Sequence, residues 1–413
     1  MLIRLSEVGT SSTFDELEHY RLNVGPVDEF GDLPETPPTI RNVGWTLGND
    51  CPYRCTHCYS MNARVKGRDM TTEMVDRIVD QLRINGVETV NLGGNEPIFT
   101  NGVNPAKSLL PYIIRSLVQA GIEVGLTTSG ISLIQLWKNY KSAFDELNDV
   151  DVSLDSPYEE LHNKNRGAQI YHQALEALSM CQARGVPHTV IMCAMNWNFD
   201  LESIDALVGI AKGLDANVRI NPLKPVLPEH LGSALTPKMY YEGFSRLLEL
   251  CDPVDLGEPP VAARTDYQAA KRCPCGRTSF RIHSITPDGE IHVSPCVYLH
   301  DYKAPLDLLT HDLKDIIDTP QFRVFRQRNK NPGHVDGCAD CHLLEQCGGG
   351  CVARSYLHEL HVGGRRSFLA RDPYCPTQHD VKVPFPSRPA IRTDQKLVHM
   401  DYLCTWIGRP KDN

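Results

Sequence analysis

Val43-Gly-Trp-Thr-Leu47-Gly-Asn-Asp-Cys51-Pro-Tyr-Arg-Cys55-Thr-His57-Cys58 runs from a short apolar stretch straight into three cysteines separated by three and two residues. Residues 43–47 read as a strand, so the cysteines fall on the loop leaving its C-terminal end. Three thiolates can hold three irons of a 4Fe–4S cluster and leave the fourth iron open, as a chelating substrate requires. Zinc is the alternative metal. It takes four protein ligands, or three and a water, and no fourth ligand stands at zinc-finger spacing.

Outward from that loop, strand and helix patterns alternate. Val75, Ile78, Val79 and Leu82 share one face of a helix over 70–85, stopped by Asn85-Gly86. Strands are expected at 88–92, 122–127, 150–154, 189–194 and 217–221, with helices at 108–120, 131–147, 169–184 and 201–214 between them. Repeated βα units imply a parallel sheet covered by helices, and six are too few for the closed eight-stranded barrel. The expected fold is α/β, a partial (β/α)6 barrel over 43–225. Its substrate site should lie where loops gather at the C-terminal strand ends.

Residues 1–42 are polar and proline-rich and read as an arm. Residues 226–272 read as a linker, with a helix at 239–250 and a proline-rich connector at 252–260. Residues 273–380 are loop-rich and dense in Cys and Gly, a small α+β domain in which metal ligation could supply folding energy. Residues 381–413 read as a tail ending in Tyr402-Leu-Cys404-Thr-Trp406-Ile-Gly.

Fifteen cysteines in 413 residues, an odd number with eleven in two tight groups, point to metal ligation rather than disulfides. The N-terminus lacks a signal-peptide pattern and no apolar run approaches a membrane span, so the expected location is the cytoplasm with no membrane partner. Net charge is −9, from 51 acidic and 42 basic residues without a basic run, which argues against nucleic acid.

The first cysteine loop, with His57 in the aromatic position before its last cysteine, resembles the signature of the radical S-adenosylmethionine (SAM) superfamily. The resemblance implies a 4Fe–4S cluster on Cys51, Cys55 and Cys58 whose open iron takes the amino and carboxylate groups of SAM. It implies His57 against the adenine, and cleavage of SAM to methionine and a 5′-deoxyadenosyl radical. Gly93-Gly94-Asn95-Glu96-Pro97 is similar to the family's Gly-Gly-Glu-Pro with one Asn inserted. It implies SAM contacts from Gly93, Gly94 and Glu96, the glycines admitting close backbone approach. Thr128 and Ser129 end the third strand, Ser153 the fourth, and Arg166 follows. In the family the matching Ser and Arg reach the SAM ribose and carboxylate, and an Arg fork suits a carboxylate. Asn196, Arg219 and Pro222 also resemble family positions. Cys181, Cys193 and Cys251 read as buried apolar residues.

Cys273-Pro-Cys275, Cys296, Cys338-x2-Cys341-x5-Cys347-x3-Cys351 and Cys375 resemble the SPASM domain, a module carrying auxiliary iron–sulfur clusters. Pro287-Asp-Gly289 reads as a hairpin turn within it. The resemblance implies an inner 4Fe–4S cluster on Cys275, Cys296 and Cys351, with Cys273 as fourth ligand or an open iron. It implies an outer cluster on Cys338, Cys341, Cys347 and Cys375, making three clusters with the SAM-binding one. Zinc stays the structural alternative.

Relatives with this module modify peptides or proteins. The expected reaction is therefore hydrogen abstraction from a ribosomally made precursor peptide, leading to a crosslink, thioether, rearrangement or excision. An electron donor such as flavodoxin or ferredoxin is implied. The 42 residues of the arm are too few for a leader-recognition domain, so a separate protein or another surface of the chain is expected to capture the leader. Two alternatives share the chemistry. Formylglycine formation in a sulfatase would place an Asp base after Cys296, where this chain has Val297 and Asp301 as the nearest acid and candidate catalytic residue. Dehydrogenation or epimerisation of a sugar or aminocyclitol would suit a shortened module.

Overall fold

The computed structural model describes residues 38–48, 50–60, 67–265, 272–379, 382–387, 389 and 391–412. The expected N-terminal arm lies, up to residue 37, outside the described residues. Six strands, Asn42–Thr46 (β1), Thr89–Gly93 (β2), Glu123–Thr128 (β3), Asp149–Ser153 (β4), His188–Ala194 (β5) and Asn217–Pro222 (β6), alternate with helices. They pair side by side in chain order, every pair parallel.

Four further strands extend this set. Cys251–Leu256 (β7), Ser279–Ile282 (β8), Val293–Ser294 (β9) and Trp406–Pro410 (β10) complete one sheet in the order β7-β10-β6-β5-β4-β3-β2-β1-β8-β9. β8 joins β1 in parallel and turns into β9 through the hairpin at Pro287–Gly289, while β10 runs antiparallel between β6 and β7. The stretch expected as the connector 252–260 thus holds an edge strand, a place where Pro253 costs no ladder bond.

Each barrel strand alternates. Val43, Trp45, Val90, Leu92, Val124, Leu126, Val150, Val152, Val190, Met192, Val218 and Ile220 are fully buried in one apolar cluster with the helices. The residues between them, including Asn91, Thr127, Asp151, Ser153 and Arg219, belong to the opposite face by the period of two. That inner face is polar and needs partners. The C-terminal segment supplies them. His399 is buried, with Nδ1 2.7 Å from Asp149 Oδ1, Nε2 3.1 Å from Thr127 Oγ1 and 3.5 Å from Asp151 Oδ2. Asp151 also accepts from Arg219 at 2.6 Å. Asn42 Nδ2 donates to Met400 O at 3.1 Å, and a Cβ on Gly125 would stand 2.8 Å from the His399 ring. The segment read from sequence as a tail is therefore the packing of the barrel interior.

Helix starts follow local chemistry. Thr71, Asp200 and Thr236 cap Thr72–Ile84, Leu201–Gly213 and Pro237–Leu250 with side-chain oxygens. The single helix expected at 131–147 breaks at Tyr140 into Ile131–Asn139 and Lys141–Asp145, and the bend lets Phe144 meet Trp137 edge-on at 5.2 Å. Glu159–Arg166 is a further helix, unread in the sequence, that brings Arg166 back to the cysteine loop.

Candidate active site

A cavity opens at the C-terminal ends of β1–β6. The cysteine loop forms one wall. Arg54 N donates to Arg166 O at 3.2 Å and Thr56 N to Asn165 O at 2.9 Å, stitching the loop to the end of Glu159–Arg166. Cys51, Cys55 and Cys58 are all buried and all line the cavity. Burial pushes the Cys55 thiol up to about 11.

Asp155, just past β4, organises the charges beneath this loop. It is fully buried and takes Arg166 Nε at 2.6 Å, Asn165 Nδ2 at 2.8 Å and Cys193 N at 3.1 Å. Burial alone would raise its pKa, but the Arg166 guanidinium, His57, His162 and the Cys193 amide together outweigh it and hold Asp155 at about 2. His57 stands with Nε2 3.7 Å from Asp155 and Nδ1 3.0 Å from Asn165 Nδ2, and burial pushes its imidazole down toward the neutral form. Arg166 and His57, both expected at SAM, thus face the cavity while anchored to Asp155. Ser153 lines the cavity nearby.

The glycine turn after β2 takes a form the sequence reading did not contain. Gly94 has φ +92, and a Cβ there would stand 1.9 Å from Arg281 Nη2. Arg281, from β8, reaches across to donate to Gly93 O at 2.7 Å, Thr46 Oγ1 at 2.6 Å and Tyr402 Oη at 3.0 Å. The glycines therefore admit a buried guanidinium. Glu96 is also committed to the protein. Its carboxylate accepts from Thr128 Oγ1, from Ser129 N at 2.9 Å, and from Ser132 N and Oγ at 3.2 and 2.5 Å. Glu96, Thr128 and Ser129 all line the cavity, yet Glu96 and Thr128 are bound to each other.

The C-terminal half adds Val297, Tyr298, Tyr402, Leu403 and, after β6, Lys224 to the lining. Val297 occupies the position beside Cys296 where a sulfatase-type base is expected, and Asp301 is exposed and absent from the lining, so it is not placed to act there. Cys193, expected to be an apolar core residue, lines the cavity, whereas Cys181 and Cys251 sit in the main core. Arg219 and Pro222 line it as well, and Asn196 instead donates to Gly232 O. Asp155, Lys224, Arg281 and Tyr402 went unassigned in the sequence because each gains meaning only from residues on other strands.

The second group of cysteines divides in two. Cys338, Cys341, Cys347 and Cys375 line a small cavity with Gly349, Arg371 and Asp372. Cys273, Cys275, Cys296 and Cys351 are buried together in a separate cluster, all as free thiols, and Cys404 joins this set. Asp372 sits between the two groups, accepting from Cys351 N at 2.8 Å and from Arg354 at 2.7 and 2.9 Å.

These donor sets fit iron–sulfur clusters. Among the described residues no three His, Cys, Asp or Glu side chains gather at a single-ion position, as one zinc ion would require. Cys51, Cys55 and Cys58, and separately Cys338, Cys341, Cys347 and Cys375, are instead spread along the walls of shared cavities, and a cluster distributes its ligands over several irons.

Comparison with known proteins agrees with the geometry. The family model of the radical SAM superfamily matches residues 45–207, and the SPASM model, an iron–sulfur cluster-binding domain, matches 273–342. The chain is 25% identical to mycofactocin maturase MftC of Mycobacterium ulcerans over 334 residues, 78% of this chain and 85% of the relative. An uncharacterised protein of Archaeoglobus fulgidus is 24% identical over 377 residues, 87% of this chain and 81% of that one. In fold, it resembles Streptococcus suis SuiB bound to its precursor peptide SuiA, with TM-score 0.56 at 16% identity, covering 82% of this chain and 76% of that one. It also resembles anSMEcpe with AdoMet and a peptide bound, with TM-score 0.62 at 15% identity, covering 82% and 94%.

Proposed function

Since the chain belongs to the radical SAM superfamily and carries a SPASM iron–sulfur domain, we propose that it modifies a residue or the backbone of a ribosomally made precursor peptide. When bound, the cluster and SAM supply a 5′-deoxyadenosyl radical that takes a hydrogen atom from the substrate. The observation that carries the reading is one cavity lined both by Cys51, Cys55 and Cys58 and by Val297, the neighbour of Cys296. A substrate in this space is within reach of the radical source and close to an auxiliary electron acceptor. The relationship to a maturase over most of the chain supports a peptide as that substrate.

In this reading Cys51, Cys55 and Cys58 hold the SAM-binding cluster, and His57, Gly94, Ser129, Ser153 and Arg166 frame SAM, while the Gly93 carbonyl is taken by Arg281. Glu96 and Thr128 keep the loop after β3 in shape. Asp155 fixes Arg166 and lies close to His57, so both face the cavity without searching rotamers. Ile191, Leu223, Val297 and Leu403 give the cavity apolar walls that exclude water from a reactive carbon. Cys275, Cys296 and Cys351, with Cys273 in reach, hold the inner auxiliary cluster, and Cys338, Cys341, Cys347 and Cys375 the outer one. The protein works in the reducing cytoplasm with a flavodoxin- or ferredoxin-type donor. Val297 and the exposed Asp301 leave formylglycine formation without its base on this wall.

The test is anaerobic incubation of the reconstituted enzyme, SAM and reductant with a short precursor peptide encoded beside it. Mass spectrometry should show lost hydrogens, a crosslink or an excised fragment. Turnover of only a sulfatase-derived peptide or a free sugar would refute the peptide-maturase reading.

A further inference from the structure

Five cysteines, rather than four, meet at the inner auxiliary site. Cys404 is 2% exposed and packs in the same buried cluster as Cys273, Cys275, Cys296 and Cys351. Its place is set by the backbone on either side. Ser279 Oγ of β8 donates to Tyr402 O at 2.8 Å, Lys224 Nζ donates to Cys404 O at 3.1 Å, and β10 begins two residues on, clamped between β6 and β7. The thiol is thus delivered from the far end of the chain by a segment with little freedom to move.

Lys224 is an independent observation. It is 2% exposed, its ammonium lies 5.0 Å from the Tyr298 ring centre, and among the described residues no carboxylate pairs with it. A buried ammonium with no anion nearby is costly. The Lys224 ammonium donates to the backbone oxygen of Cys404 itself and so stands beside the group of thiols that includes Cys404. A thiolate-ligated cluster would provide the negative charge.

We propose that Cys404 is a ligand of the inner auxiliary cluster. Four irons take four of the five thiols, so one of the other four stands aside and no iron is left open. Substrate in the main cavity then faces Val297 and Leu403 rather than an exposed iron. The proposal rests on the iron–sulfur reading above.

The experiment uses the full chain with Cys51, Cys55 and Cys58 changed to Ala, so that only auxiliary iron is seen. Iron content, Mössbauer spectra and electron paramagnetic resonance would be compared with and without a further change at position 404. With Cys273 also changed to Ala in the parent, so that no spare thiol can take its place, Cys404→Ala is expected to give a 3Fe–4S signal and lose one iron after mild oxidation. Cys404→Ser, which keeps the side chain's size, is expected to hold iron with an altered reduced-state spectrum, and it decides the matter if the alanine variant does not fold. Cys181→Ala, in the main core, should leave the spectra unchanged. If both Cys404 variants match their parent, the assignment of Cys404 falls alone. If the parent holds no iron, the iron–sulfur reading falls with it.

Discussion

Glu96 gathers four buried hydrogen-bond donors from Thr128, Ser129 and Ser132. Glu96→Leu would leave all four unmet, and each unmet buried donor costs about 1–3 kcal/mol. The variant should lose at least about 3 kcal/mol of stability, read as a shifted denaturant midpoint at unchanged slope. Glu96→Gln keeps one acceptor oxygen and should lose less. At the cysteine loop, the Cys51, Cys55 and Cys58 triple alanine variant should form no 5′-deoxyadenosine from SAM and reductant, measured by chromatography; undiminished product would remove these residues from the radical site. Lys224→Met should lower the inner cluster's reduction potential, because a nearby positive charge favours the more negative reduced state. A shift of about 60 mV, one tenfold step for a single electron, is the expected size in a spectroscopic redox titration. The cysteines were legible in sequence because a cluster dictates their spacing along a contiguous chain. Arg281 and Lys224 were not, because a lone cation after a strand looks the same whether it meets solvent or, as here, a buried carbonyl from a distant segment.

At the scale of elements, β10 carries the largest departure from the sequence reading. Alternating apolar and hydrogen-bonding positions made β1–β6 recognisable, with boundaries displaced by one residue or so. β10 is a five-residue strand after a proline-rich stretch, and nothing local marks its partners β6 and β7 as lying about 190 and 150 residues upstream. The polar inner face of the barrel was the available signal, since Asp149, Asp151 and Thr127 required an interior partner that no βα unit supplies. Trp406 is fully buried in the main core and pairs with both Ile220 and Leu256. Trp406→Ala should cost about 3–5 kcal/mol. It should also reduce iron at the inner site more than at the outer one, because Cys404 precedes the strand by two residues. Mössbauer quantification of the two sites would check this, and equal loss at both would detach β10 from the inner site.

The whole molecule is held in two different ways. The barrel and the first part of the C-terminal module, through β8, β9 and Phe322, share one continuous apolar core. Beyond it, the chain around Cys338, Cys341 and Cys347 is built of turns, one four-residue helix, and glycines at positive φ at 348, 349 and 350. Its buried contacts are few, and its cysteines face a small cavity. Such a segment has little apolar burial to hold its shape alone, so in the proposed reading ligand bonds to iron contribute folding energy there. Removing iron with a chelator should therefore open the molecule unevenly. Hydrogen exchange should rise by orders of magnitude at the amides of residues 338–351 and stay slow in β2–β5, whose strands are buried on both faces. The comparison is between anaerobic holoprotein and chelator-treated protein at one pH and temperature. Uniform protection across both regions would mean that the C-terminal module stands without its metal. Uniform loss would mean that the barrel depends on it too, through the shared core at Phe280 and Ile282.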